Sequence, residues 1–110
     1  MSQIPLMIDG LGRREATTVA TATVQRVFAT IGVGEPSRRK AVSVNNLDAS
    51  ADLYVSLAAT GASAPTVSTT DNDVVIGPRT SRQFQIGPGI DLWVRSSGAG
   101  AVAYTALEVL

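Results

Sequence analysis

The chain has 110 residues, of which 16% are charged and 45% are hydrophobic, and its formal net charge is zero. It contains no histidine and no cysteine, which removes the usual metal ligands, thiolate nucleophiles and the commonest general base. A typical soluble domain carries about 25% charged residues, and a single small domain cannot bury all of its uncharged surface. We therefore expect part of this surface to lie against other protein molecules.

Residues 1–15 are predicted to form an extended N-terminal arm. Apolar residues alternate along its first half, which is a strand-like spacing. Pro5 restricts such a strand to the edge of a sheet, and an extended segment of this kind can add to the sheet edge of a neighbouring subunit. The candidate interface residues of the arm are Ile4, Leu6, Ile8, Arg13 and Arg14.

Residues 16–31 are rich in threonine and valine. Both residue types are stiff at χ1 and favour strands, so the segment is predicted to form one long strand or two short ones. The alternative is a helix, since Val24, Val27, Phe28 and Ile31 have a helical spacing.

The remainder of the chain reads as a series of short strands separated by turn-forming residues. The predicted strands cover residues 40–45, 52–58, 66–70, 74–76, 81–86, 91–95 and 101–110. Such spacing is typical of an all-β sandwich or barrel. We predict one antiparallel β-sandwich or jelly-roll-like barrel over residues 16–110, with two hairpins that pair 40–45 with 52–58 and 91–95 with 101–109.

The last two strands supply further interface candidates. Trp93 is predicted to face away from its two apolar neighbours in the strand. The closing strand is apolar on both faces, so we expect it to be covered twice, by its own fold or by a neighbouring subunit. The candidates from these strands are Trp93, Tyr104, Leu107 and Val109.

Little in the sequence indicates chemistry. The serines have no usual base partner, so no catalytic residue is predicted and we do not expect an enzyme. Asp71, Asn72 and Asp73 resemble part of a calcium loop, but the later glycine and glutamate of that loop are missing. A turn is the favoured interpretation of this triplet, and we predict no metal ion and no cofactor.

Nucleic acid and membrane are not expected partners. The basic clusters at residues 13–14 and 38–40 sit in a chain of zero net charge without interleaved aromatic residues. Contacts with carboxylates across a subunit interface, or solvated turns, are the favoured interpretation of these clusters. No apolar run approaches the roughly 18 residues that span a bilayer.

The stretch from Arg39 to Val109 resembles small structural proteins of tailed bacteriophages. A strand of the type KAVSVNNLDAS leads into ADLYVSLAATG, and VVIGPRTSRQFQIGPGIDLWVRSSGAGAVAYTALEVL follows after a loop. The resemblance covers about two-thirds of the chain. It implies a virion component with no catalytic residues, either a capsid decoration or cement protein, a minor capsid protein, or a head–tail connector, tail or fibre-base component.

Two functional hypotheses follow. The first is a structural virion protein, assembled in the bacterial host cytoplasm, that contacts the major capsid protein or neighbouring subunits and forms a homo-oligomer, with a trimer at a symmetry axis of the shell expected. The second is a carbohydrate- or receptor-binding module that uses Trp93 or Tyr104 with the carboxylates of residues 71–73.

Overall fold

The computed structural model describes residues 11–20, 22–28, 40–87, 89–97 and 100–109, and the side chains of residues 11–13 lie outside this description. The described residues form eight strands and no helix, which confirms the all-β prediction. The strands are β1 (Leu11–Val19), β2 (Gln25–Arg26), β3 (Ala41–Asn46), β4 (Leu53–Ala59), β5 (Val74–Ile76), β6 (Ser81–Phe84), β7 (Ile90–Ser96) and β8 (Val102–Val109).

The strands form two four-stranded antiparallel sheets. Sheet A has the order β1-β8-β3-β6, and sheet B has the order β2-β7-β4-β5. The first strand therefore pairs with the eighth, the second with the seventh, the third with the sixth and the fourth with the fifth. This is the pattern of one long hairpin rolled up into two facing sheets, which is the strand order of a jelly roll.

The core lies between the two sheets because each long strand alternates apolar and polar side chains. In β7, Leu92 and Val94 are buried while Trp93 between them is on the other face, as predicted. The same period of two runs through β3 and β8. The buried cluster contains Val19, Val27, Phe28, Val42, Val44, Leu53, Val55, Ile76, Phe84, Leu92, Val94, Val102, Tyr104 and Ala106.

Both predicted hairpins are wrong. The strand at 41–46 pairs with β6 and β8 rather than with β4, and the strand at 90–96 pairs with β2 and β4 rather than with β8. In a rolled hairpin most consecutive strands lie in opposite sheets, so a short connection along the chain crosses the sandwich instead of joining two neighbours. Among the described strands, β4 and β5 are the only consecutive ones that pair.

The strand predicted at residues 66–70 is also wrong. Residues 60–73 form a loop between β4 and β5 with no strand. Val67 in this loop is 2% exposed but does not belong to the cluster between the sheets. In the segment 16–31, β1 covers residues 16–19 and β2 covers residues 25–26, and none of its described residues is helical, which favours the two strands over the helix. Residues 21 and 29–31 of this segment lie outside the described residues.

The boundary of the predicted arm needs a correction. Residues 11–15, assigned to the arm by their sequence, belong to β1 and pair with the end of β8 in the same chain. Glu15 is 2% exposed, which places it inside the sandwich. The rest of the predicted arm, residues 1–10, lies outside the described residues.

Candidate interaction surface

The structure places three of the predicted interface residues at the surface of the sandwich. Arg14 is exposed and Leu107 is half-buried, and the two are cross-strand neighbours on the outer face of sheet A. Trp93 is half-buried on the outer face of sheet B. Ile4, Leu6 and Ile8, and the side chain of Arg13, lie outside the described residues.

Two other interface candidates are buried within the chain itself. Tyr104 is 0% exposed and belongs to the cluster between the sheets, so it has no surface to offer a partner or a sugar ring. Val109 is 5% exposed. As interface residues both predictions are wrong, because the inner face of β8 packs on sheet B and the end of its outer face is covered by the chain.

The Tyr104 hydroxyl belongs to a buried hydrogen-bond network. It donates to Glu15 Oε1 over 3.1 Å and accepts from Gln25 Nε2 over 3.0 Å. The same Glu15 oxygen accepts the backbone N–H of Phe28 over 2.8 Å. The Glu15 side chain of sheet A thereby fixes the backbone of Phe28, just after the end of β2 in sheet B. This role was not predicted, because Glu15 falls in the segment that was assigned to the N-terminal arm.

Phe28 has an unusual backbone at this point. Its φ is 70°, in the left-handed region that costs a bulky residue strain. The Phe28 ring is 4% exposed, and its N–H is held by Glu15. Burial of the ring and the bond to the carboxylate together keep the chain in this conformation.

The outer face of sheet A is nearly free of charge. Among the described outward positions of its four strands, Arg14 is the one charged residue. The outward residues form rows across the sheet, such as Leu107 beside Ser43 and Thr105 beside Asn45. The face is made of Arg14, Ala16, Thr18, Ala41, Ser43, Asn45, Ser81, Gln83, Ala103, Thr105, Leu107 and Val109.

One end of this outer face is covered by the chain itself. Ala41 and Val109 are opposite each other and are 4% and 5% exposed, although neither belongs to the cluster between the sheets. Further along β8, Ala103, Thr105 and Leu107 are half-buried. The expectation of a second cover on the closing strand is therefore confirmed at the Val109 end.

The outer face of sheet B is partly covered by the loop at residues 60–73. Arg95 Nη1 donates to the carbonyl oxygen of Val67 in this loop over 3.2 Å. Trp93 Nε1 and Arg95 Nε are buried and have no hydrogen-bond partner among the described residues, which is costly for donors of this kind. On the same sheet, Arg26 Nη1 lies 4.0 Å from Asp91 Oδ2. A surface ion pair of this kind contributes little to stability.

The Asp71–Asp73 triplet lies in a bend at the end of the 60–73 loop, just before β5. Ser68 accepts the N–H of Asp71 at its hydroxyl and donates its own N–H to the Asp71 carbonyl. Asp73 Oδ2 accepts the N–H of Leu57 in β4 over 2.8 Å. Within the described part of the chain, no three acidic groups come together in a way that would hold a metal ion.

The turn between β3 and β4 is held by Asp48. Its Oδ2 accepts the N–H groups of Ser50 and Ala51 over 2.9 and 2.7 Å. These two hydrogen bonds lower the pKa of Asp48, and the nearby Arg79 charge adds to the effect. Asp48 thus acts as a cap for the turn.

Comparisons with known proteins found no counterpart for this chain. No family model, no curated protein and no solved structure matches it. In the described residues there is no helix with the length and hydropathy of a membrane span.

Proposed function

We propose that this chain is a structural protein of a tailed-phage virion, a capsid decoration or cement protein or a minor capsid protein that stabilises the particle by contacts between subunits. The observation that supports the proposal best is the outer face of sheet A, with Arg14 as its one charge among the described positions. Charged residues are depleted in the centre of protein interfaces. A weakly charged sheet face fits burial against another protein.

The size of this face limits what it can do alone. Strands about 4.8 Å apart with a rise of about 3.3 Å per residue make this face at most about 500 Å², and its end at Ala41 and Val109 is already covered by the chain. A stable protein interface buries about 800 Å² on each partner. Particle attachment therefore needs more area, which we assign to the N-terminal segment and to neighbouring copies, whose contacts add up in a symmetric shell.

The jelly roll is compatible with a structural role in a virion, but it does not distinguish this role from others. Jelly rolls occur in viral capsid proteins and also in lectins, and one fold serves many functions. The lectin alternative loses one of its two aromatic candidates, since Tyr104 is buried between the sheets. A head–tail connector, a tail component and a fibre base would use the same weakly charged face.

The experiment is quantitative mass spectrometry of purified particles from cells that produce this chain. We expect the chain in a fixed ratio to the major shell protein, unchanged after a wash in high salt, because an uncharged contact is insensitive to screening. If the chain stays in the soluble fraction and the particles lack it, the proposal is wrong. A few copies per particle would instead indicate a connector or tail position.

A truncation measures the contribution of the arm. The deletion has to end at residue 10, because Glu15 of β1 is buried and accepts a hydrogen bond from Tyr104. We expect the chain that starts at Leu11 to keep the jelly roll and to lose particle occupancy. Full occupancy with the shortened chain would show that the arm has no role in attachment.

A further inference from the structure

The 60–73 loop lies on the outer face of sheet B and covers part of it. Arg95 is on the outer face of β7, and its Nη1 donates to the Val67 carbonyl over 3.2 Å. Ser56, opposite Trp93 on the same face, is 5% exposed. A loop of this length without secondary structure is uncommon in a small domain and often has a function.

One residue attaches the middle of this loop to the sheet. Val67 is 2% exposed and is the only buried residue of the loop. Residues 63–66 make no hydrogen bond to any described residue. The end of the loop is held separately, because the N–H of Asp73 donates to the Val55 carbonyl in β4 over 2.9 Å. The middle of the loop therefore depends on Val67 for its position on the sheet.

The loop has a conformationally free residue near its start. Gly61 has a φ of 86°, in the left-handed region that glycine adopts without strain. A Cβ at this position would meet no described atom within 4 Å, so its surroundings leave room for movement. The other end is a turn in which Ser68 Oγ accepts the Asp71 N–H over 3.0 Å. Residues 62–67 thus lie between a glycine and a hydrogen-bonded turn, an arrangement that suits a hinged segment.

Two N–H donors on the covered face lack acceptors. Trp93 Nε1 and Arg95 Nε are buried and have no hydrogen-bond partner among the described residues. In contact with water both groups would be hydrogen-bonded, so burial without a partner costs free energy. Burial of the Val67 side chain favours the closed loop, whereas the two unpartnered donors disfavour it. Because these effects oppose each other, the closed loop is held less tightly than its buried valine alone would hold it.

We propose that the 60–73 loop is a hinged cover that opens over Trp93 and Arg95 in the folded protein. In the closed state Val67 is buried and its carbonyl accepts the Arg95 N–H. In the open state water reaches both donors. The sandwich stays intact on opening, because no residue of the loop belongs to the cluster between the sheets.

Opening changes what the outer face of sheet B presents. Trp93 and Arg95 lie beside Tyr54, which is opposite Arg95 in β4. Tryptophan, tyrosine and arginine are the residue types that contribute most to the binding energy of protein interfaces. The closed loop therefore shields a surface of this kind, and the open loop exposes it. The opening is independent of the proposed virion role, since it takes place in the isolated chain.

Fluorescence measures the opening directly, because Trp93 is the only tryptophan in the chain. Val67→Ala removes two buried methyl groups from the loop, which should increase the open population roughly tenfold. We expect acrylamide to quench Trp93 more strongly in this variant, and its emission to shift to longer wavelength. Val75→Ala is the matched control, since Val75 is on the same sheet face but is 44% exposed and outside the loop. The control should be quenched like the unchanged chain.

Hydrogen exchange separates opening from unfolding. In the unchanged chain, the indole N–H of Trp93 should exchange through a smaller opening free energy than the backbone N–H of Val94, in the middle of β7. Val67→Ala should speed the indole exchange roughly tenfold and leave that of Val94 unchanged. The proposal is overturned if the indole and Val94 share one opening free energy, or if Val67→Ala alters neither quenching nor exchange. The first comparison needs no variant, so it decides the matter even where a variant is unstable.

Discussion

At the scale of single residues, the buried Glu15 carboxylate is the side chain that connects the two sheets. It accepts hydrogen bonds from Tyr104 and from the Phe28 backbone, and Tyr104 in turn accepts one from Gln25 of β2. A buried polar group is stabilising only when it is satisfied. The network therefore makes the packing of sheet A on sheet B specific as well as apolar.

Removal of the Tyr104 hydroxyl should lower the stability of the fold. We expect Tyr104→Phe to reduce the free energy of unfolding by about 1–3 kcal/mol, because Gln25 and Glu15 each lose a partner. The measurement is urea unfolding at neutral pH. Tyr54→Phe is the matched control, since Tyr54 is only half-buried and on the outer face of sheet B. Equal stability of the two variants would contradict the network's role.

The same tyrosine predicts a response to alkaline pH. Burial raises the pKa of Tyr104, and the Glu15 charge raises it further. The unfolded chain then loses the phenol proton at a lower pH than the folded one, so stability falls as pH rises above the ordinary tyrosine pKa of about 10. In Tyr104→Phe the free energy of unfolding should decline less at alkaline pH. The same variant thus tests the network in a second measurement.

At the scale of elements, the turn between β3 and β4 shows how polar residues position strands. Asn46 is 0% exposed, and its Nδ2 donates to the Ala51 and Ile76 carbonyls over 2.9 and 3.0 Å. Its Oδ1 accepts the Asp48 N–H over 2.9 Å. One side chain thereby joins the end of β3, the turn and the end of β5. A turn was predictable from these residue types, but their burial was not.

The Asp48 cap predicts an acid-sensitive element. The pKa of Asp48 is lowered in the folded state. Asp48 therefore stabilises the fold at pH values above the ordinary aspartate pKa, and this stabilisation is lost as pH falls through the folded-state pKa. Asp48→Asn should be less stable than the unchanged chain at pH 7, and the difference should shrink on acidification. Urea unfolding at pH 7 and below pH 3 provides the measurement. Parallel stability curves at all pH values would argue against the cap.

The strand positions were largely predictable because alternation of side chains is a local property. Residues 74–76 were placed without error, and the strand ending at residue 46 was displaced by one position. The strand at 66–70 was wrong because Val67 is a buried residue of the 60–73 loop and does not belong to a sheet. Apolar alternation therefore identified buried positions more reliably than it identified hydrogen-bonded strands.

At the scale of the whole molecule, the pairing of β1 with β8 closes the jelly roll. Leu11 is opposite Val109, so the first and last described strands are neighbours although nearly the whole chain separates them. Among the described strands, β1 is an edge strand of sheet A. An irregularity in its pairing between Leu11 and Arg14 and the inward-facing Glu15 protect such an edge from unwanted pairing.

The closeness of these two strands predicts that the chain tolerates circular permutation. A chain that joins β8 to β1 through a loop of about four residues and opens between Ala62 and Ser63 should fold and unfold cooperatively, because the exposed loop carries the new ends. A permutant opened between Ser50 and Ala51 should be much less stable, since the cut breaks the Asp48 cap. Thermal unfolding followed by circular dichroism would show the difference. Equal midpoints would contradict the argument.

Sequence alone determined the fold class, most strand positions and the side of the strand on which residues such as Leu92 and Trp93 lie, because a period of two needs only neighbours in the chain. The partner of each strand was decided by tertiary structure, since consecutive strands cross between the sheets and β1 finds β8 at the far end of the chain. The same distant pairing buried Glu15 and Tyr104 together. The candidate surfaces depend on contacts between distant segments, and no local pattern encodes those contacts.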